Sequence, residues 1–191
     1  LKLLVLGGSF NPVHIGHLVM AEELRWEFGY DLVLIVPSLR PPHKSLTEEP
    51  GGARRLEMLR LAIDSDDRFA VDGCEIERGG ISYTIDTLEN LRSRYPLEGK
   101  PGLVIGDDLI PGFPSWRKPG ALAEVADIVC AHRSSAEELP LAFPHRYAHN
   151  SLIQISSSMV RERIAAGEPF RRLLAPSVFG YILENGLYGL R

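Results

Sequence analysis

The sequence predicts an α/β fold in three layers, with a mostly parallel sheet flanked by helices. Two observations carry this. Short apolar runs rich in Val, Ile and Leu alternate with segments of helical periodicity along all 191 residues, and that alternation builds βαβ units. The apolar runs at 3–6, 32–36 and 103–105 are continuous rather than alternating, as expected of strands buried on both faces.

Taken in order, residues 3–6 read as the first strand. Residues 14–28 read as a helix whose inward stripe is Leu18, Ala21, Leu24 and Phe28, closed by Gly29. Trp26 on this helix reads as a packing residue. Residues 32–36 form a second strand halted by Pro37, and 37–50 a proline-rich, mobile loop. A helix at 53–63 turns Leu56, Leu59, Ala62 and Ile63 inward. Residues 69–76 read as a strand of weaker pattern and 84–94 as a helix burying Leu88 and Leu91. A buried strand at 103–105 ends at Gly106. A short helix at 121–125, a strand at 128–131 and a last short strand at 152–155 follow, then helices at 159–166 and 177–184. The result is one Rossmann-like domain over residues 1–191. Its ligands are expected beyond the carboxyl ends of the strands, in the loops after Leu6, Val36, Ile76, Ile105 and Ile155.

Composition bounds the function without naming it. Hydrophobic residues make up 45% and charged residues 24%, with 21 basic against 25 acidic side chains and a net charge of −4. That balance argues against a broad grip on nucleic acid. No apolar run reaches membrane-span length and no signal-peptide pattern opens the chain. The two cysteines, Cys74 and Cys130, are far apart. Each reads as a small buried hydrophobe in a strand, in keeping with a reducing cytoplasm. The stretch from Phe170 to Tyr188 carries apolar residues suited to internal packing or to a second copy, so a homo-oligomer stays open.

Common phosphate-binding signatures are missing. There is no Gly-Lys-Ser/Thr, no G-x-G and no G-x-S-x-G, which excludes ordinary P-loop, dinucleotide and nucleophile-elbow motifs. Two strand-to-helix junctions carry the chemistry instead. The first is Gly7-Gly8-Ser9-Phe10-Asn11-Pro12-Val13-His14-Ile15-Gly16-His17. Its glycines permit a tight turn and close backbone approach to a ligand. The helix start offers free N–H groups and a positive dipole end, and His14 and His17 share a helix face. As a zinc motif it is incomplete, since no third ligand is close in sequence. The second junction is Ile155-Ser156-Ser157-Ser158-Met159-Val160-Arg161, a serine cap followed by cations that oppose the helix dipole. Either an anion relieves that conflict, or Arg161 pairs with Glu162 or Glu168.

Together these motifs resemble the bacterial nicotinate-nucleotide adenylyltransferases of the H-x-G-H nucleotidyltransferase superfamily. The resemblance also takes in Pro41-Pro42-His43-Lys44, Ser82-Tyr83-Thr84-Ile85-Asp86-Thr87-Leu88, Gly106-Asp107-Asp108 and Trp116. It spans nearly the whole chain in order. H-x-G-H marks only the superfamily; the other motifs narrow it. Asn11 stands where the family usually has Asp, Ser158 where it has Thr, and Ala131-His132-Arg133-Ser134-Ser135 departs from its R-P-G ending.

The resemblance implies transfer of the adenylyl group of ATP to nicotinate mononucleotide, giving nicotinate adenine dinucleotide and pyrophosphate in NAD biosynthesis. It implies His14, His17 and Arg161 as catalytic, acting on the phosphates together with Ser156. Gly8, Ser9 and Phe10 belong to the same ATP site, with Gly106 making room for the nucleotide and Asp108 on a ribose hydroxyl. His43, Lys44, Tyr83, Thr84, Trp116 and Arg133 are implied for the mononucleotide. Mg²⁺ is expected to bridge phosphate oxygens and water, with no protein residue assigned as a metal ligand. Asp107 reads as a solvated loop charge. Competing readings are a phosphopantetheine adenylyltransferase, a class I aminoacyl-tRNA synthetase and a non-catalytic nucleotide sensor. Trp116 and the Ser82–Leu88 motif oppose the first, while short length and the absence of K-M-S-K-S oppose the second.

Overall fold

The computed structural model describes residues 1–42, 50–64 and 66–190. Six parallel strands form one sheet in the order β3-β2-β1-β4-β5-β6. Strand β1 (Leu3–Gly8) lies at the centre, between β2 (Leu32–Pro37) and β4 (Gly102–Gly106). The order runs outward from β1 in both directions, so the loops leaving β1 and β4 diverge and open a crevice between them.

Alternation along β1 sorts the two cores. Leu4 and Leu6 pack with α1 (Ile15–Phe28), α2 (Gly51–Ala62), α6 (Ser157–Ala166) and α7 (Pro176–Glu184), through Leu24, Leu59, Val160 and Ile182 among others. Leu3 and Val5 pack on the opposite face with α4 (Thr84–Arg94) and α5 (Pro119–Val125), through Leu88, Leu91 and Leu122. Most apolar residues from Phe170 to Tyr188 fold into the first of these cores, with Leu183 left exposed. Among the described residues no helix is long and apolar enough to cross a membrane.

Several expectations change. Strand β3 is only Phe69–Val71. Beyond it the carboxylate of Asp72 accepts the N–H of Cys74 at 2.9 Å and turns the chain into a short helix, α3 (Cys74–Arg78). Cys74 is therefore buried at a helix start rather than in a strand, while Cys130 lies in β5 (Asp127–Ala131) as expected. Both cysteines are free, and burial pushes each thiol up to about 12. Residues 152–155 are not a strand. The sixth strand is β6 (His145–Tyr147), an edge strand beside β5 that has no apolar run to betray it. Trp26 does not pack, being 79% exposed.

Candidate active site

The site is built where β1 and β4 end. After Gly8 the chain enters a loop in which Phe10 adopts a φ of 46°, left-handed for a residue with a side chain. Its ring is buried and meets His17 edge-on at 5.0 Å. A Cβ at Gly8 would press on that ring at 3.0 Å, so the glycine is needed. His14 then caps α1 with extended backbone. Its ring stacks on that of His17 with centroids 3.6 Å apart. Gly16 leaves room for this pair, because a Cβ there would lie 3.2 Å from His14 Nδ1.

The two imidazoles are in different situations. His17 Nδ1 accepts the backbone N–H of His14 at 3.2 Å, which leaves Nε2 as the protonated donor of the neutral ring. His14 is 3% exposed, yet among the described residues neither of its ring nitrogens has a partner. Buried polar atoms are normally satisfied, so a ligand is the natural partner for them. Burial, with a smaller contribution from the Arg133 charge, pushes the His14 pKa down to about 3. Burial, the neighbouring His14 and Arg133 hold His17 well below its ordinary value. Both rings are therefore neutral before an anion arrives.

Beside them, β4 ends at Gly106, followed by a 3₁₀ helix at Asp107–Ser115. A Cβ at Gly106 would collide with the Asp108 carboxylate and the Arg133 side chain, which pair with each other at 3.3 Å. Asp107 is not the solvated charge expected of it. It is fully buried and accepts the N–H groups of Arg133, Ser134 and Ser135 at 3.2, 3.0 and 2.9 Å, and the Ser134 hydroxyl at 2.9 Å. Burial alone would raise its pKa, but these donors hold the carboxyl below the usual range. The acceptor thus fixes the loop that carries Arg133. The partners are 26 to 28 residues away, so local reading had no signal for them.

The second junction caps as expected: Ser156 accepts the N–H of Met159 at 3.1 Å and α6 begins. Arg161 pairs with neither Glu162 nor Glu168. It donates to the Asn11 carbonyl at 2.7 Å and to the Ser158 hydroxyl at 3.2 Å, linking the two junctions.

A cavity of about 200 Å³ opens between these parts. His14, Gly16 and His17 line one wall, Asp108 and Arg133 another, and Ile155 and Ser156 a third. His132, Ser134, Ser151 and Ile153 join them, and none of these was singled out from the sequence. For His132 and Ser134 the only signal was the departure of the 131–135 segment from the family ending. His132 is fixed because Asn150 bonds both its N–H, at 2.9 Å, and its carbonyl, at 2.8 Å.

Arg161, Tyr83, Thr84 and Trp116 do not line this cavity. Tyr83 and Thr84 start α4. The Arg117 guanidinium lies 4.5 Å over the Tyr83 ring and 3.5 Å from Asp86, joining that helix start to the Trp116 loop. Trp116 leans on Phe113 at 5.1 Å. His43 and Lys44 lie outside the described residues. Among the described residues no group of three His, Cys, Asp or Glu side chains gathers to hold a metal. The donors present, imidazole and guanidinium N–H groups and a serine hydroxyl, suit an anion rather than a hard cation.

Open α/β topology, a crevice at the switch point and a cradle of donors suited to an anion define an α/β protein of the nucleotide-handling kind. A family model of cytidylyltransferase-like proteins matches residues 5–163. A protein of Borrelia garinii subsp. bavariensis named "Probable nicotinate-nucleotide adenylyltransferase" is 41% identical over 98% of this chain and 95% of its own. One of the same name from Streptococcus pyogenes serotype M1 is 38% identical over 96% of this chain and 87% of its own. The fold also matches the Plasmodium falciparum nicotinic acid mononucleotide adenylyltransferase complexed with NaAD. That match has a TM-score of 0.76 and 18% identity, over 100% of this chain and 98% of that one. The chain belongs to the cytidylyltransferase-like family, and within it to the nicotinate-nucleotide adenylyltransferases.

Proposed function

We infer that this chain transfers the adenylyl group of ATP to nicotinate mononucleotide, forming nicotinate adenine dinucleotide and pyrophosphate. The observation that carries it is the stacked, neutral histidine pair with both His14 nitrogens unpartnered at the switch point, in a chain whose full-length relatives bear that name.

The mononucleotide phosphate is already a nucleophile, so no Ser–His or Cys–His relay is required. Its oxygen attacks the α-phosphorus of ATP, the α–β phosphoanhydride bond breaks, and pyrophosphate leaves with the electron pair. The protein then has two tasks, alignment and stabilisation of charge on the phosphates. We assign the polyphosphate to the loop at Gly8, Ser9 and Phe10, to the His17 Nε2–H, to His14 and Ser156, and to Arg161. Asp108 takes a ribose hydroxyl above Gly106. His43, Lys44, Tyr83, Thr84, Trp116 and Arg133 are assigned to the mononucleotide. The N–H groups at the start of α4 favour a carboxylate over a carboxamide. Mg²⁺ is proposed to arrive on the nucleotide, supplying charge neutralisation to phosphate oxygens; Asp107 and Asp108 are already engaged with Ser134, Ser135 and Arg133. A reducing cytoplasm suits the two unpaired cysteines.

The test offers ATP and Mg²⁺ with nicotinate mononucleotide, nicotinamide mononucleotide or phosphopantetheine in turn, and measures pyrophosphate. Release with the acid form alone is expected. Equal rates with the amide would remove the carboxylate selection, and no release despite ATP binding would make the protein a sensor. The variant His17→Ala should lower kcat by about 10²–10³, the usual loss for a donor aimed at transition-state charge.

A further inference from the structure

The loop after β1 is held from behind by side chains drawn from across the chain. The Gly8 carbonyl accepts the Ser38 N–H at 2.8 Å and its hydroxyl at 3.2 Å. Arg55 of α2 donates to the Ser9 carbonyl at 2.6 Å. Arg161 holds the Asn11 carbonyl, and Ser157 donates to the Pro12 carbonyl at 2.8 Å. Finally the Tyr188 hydroxyl, from the turn Leu187–Gly189, donates to Asn11 Oδ1 at 2.8 Å. In a trans peptide the C=O and the following N–H point in opposite directions. Anchoring the carbonyls of Gly8, Ser9 and Pro12 therefore turns the N–H groups of Ser9, Phe10 and Val13 away from the anchors.

We propose that Tyr188 and Arg55 are positioning residues of the phosphate-binding loop, fixing it from outside the cavity so that its N–H groups stand in place before ATP binds. Neither lines the cavity. Both lie at the loop's back, and Arg55 is 3% exposed with no carboxylate partner among the described residues. A buried guanidinium on a peptide carbonyl holds a loop firmly, because a charge-assisted hydrogen bond is stronger than a neutral one. Tyr188 has a φ of 63°, left-handed for a residue with a side chain. Such backbone persists where surrounding contacts over-determine it, and the bond to Asn11 is one of them. Burial raises the phenol above its ordinary range, so it stays a donor. The Phe10 conformation at φ 46° is held in the same way, between the Ser9 and Asn11 anchors.

This inference rests on the adenylyl-transfer reading only for its kinetic readout. The experiment compares wild type, Tyr188→Phe, Asn11→Ala and the double variant, together with Arg55→Gln and Arg55→Lys. It measures ATP affinity by calorimetry without mononucleotide, then kcat and KM for each substrate by pyrophosphate release, and Tm. Tyr188→Phe should weaken ATP binding about tenfold and lower kcat/KM for ATP alike, as loss of one well-made hydrogen bond predicts. KM for the mononucleotide should not move. The double variant should be no worse than Asn11→Ala, and Arg55→Lys should recover part of what Arg55→Gln loses. Lowered Tm with unchanged ATP affinity, or full additivity of the Tyr188 and Asn11 changes, would overturn the proposal. A wild type that releases no pyrophosphate would defeat the adenylyl-transfer reading, while the calorimetry still decides the tether.

Discussion

At the scale of single residues, the histidine pair is the part of the site written most plainly in the sequence. Its spacing of three across a helix start, with Gly16 between, is local information, and the structure keeps it local: His14 caps the helix, the rings stack and Gly16 lies under His14. What local reading missed is the charge state. The His14 pKa is near 3 in the fold against 6.5 in the unfolded chain. Above pH 6.5 both states are neutral and the folded state keeps its full stability. Below it the unfolded chain takes a proton that the fold refuses, so stability falls as pH drops toward the folded value. His17 adds in the same direction. Urea unfolding at pH 7.5 and 5.5 should show wild type losing on the order of 1 kcal/mol more than His14→Gln. Equal losses in the two proteins would mean that His14 is not held neutral by the fold. Asp107 is the opposite case to the histidines. As a letter after Gly106 it looks like any loop acid, and only the tertiary return of residues 133–135 reveals it as an acceptor.

At the scale of elements, the strands with continuous apolar runs were legible and the rest were not. Strands β1, β2, β4 and β5 are buried on both faces, so hydrophobicity alone marks them. Strand β6 is three residues at the edge, His145-Arg146-Tyr147, with one neighbour and no apolar run. The apolar residues at 152–155 imitated a strand because Ile153 and Ile155 are there to wall the cavity. The segment from Ala131 to Ser135 has no regular structure beyond β5, so its shape depends on Asp107. Asp107→Asn exchanges an acceptor for a group whose NH₂ faces N–H donors, a loss of about 2–4 kcal/mol. For a chain of this length that corresponds to a Tm lower by roughly 5–15 °C. KM for the mononucleotide should rise too, since Arg133 loses its support. Asp108→Asn is the contrast. Asp108 is exposed and its bond to Arg133 is long, so Tm should hardly move while KM for ATP, whose ribose Asp108 is proposed to hold, rises. An Asp107→Asn protein with wild-type Tm would show that the four hydrogen bonds do not set the loop.

At the scale of the whole molecule, a net charge of −4 coexists with the polyphosphate site we propose. The sequence suggests that His14, His17, Lys44 and Arg161 make a small positive pocket. The structure redistributes that charge: the histidines are neutral, Arg133 is at the cavity, Arg55 is on the Ser9 carbonyl, and Arg161 ties the Asn11 carbonyl to α6. Neutral imidazoles facing the ligand, with Arg133 balanced by Asp108 at the cavity wall, can receive phosphate without mutual repulsion in the empty site. The same arrangement joins both sides of the crevice, since the cavity draws its walls from α1, from the loop after β5 and from the start of α6. A ligand that fills it should therefore stabilise the whole sheet rather than one loop. ATP at a hundred times its Kd adds about 2.7 kcal/mol, which for this length is a rise in Tm of roughly 5–11 °C. Adenosine, which has the base and ribose but no phosphates, should give a far smaller rise at any concentration, and 0.5 M salt should shrink the ATP effect. Thermal unfolding with ATP, ADP, AMP and adenosine makes the comparison directly. A graded series that falls with each phosphate removed is the expected result, and equal shifts from ATP and adenosine would show that the cavity is not a polyphosphate site.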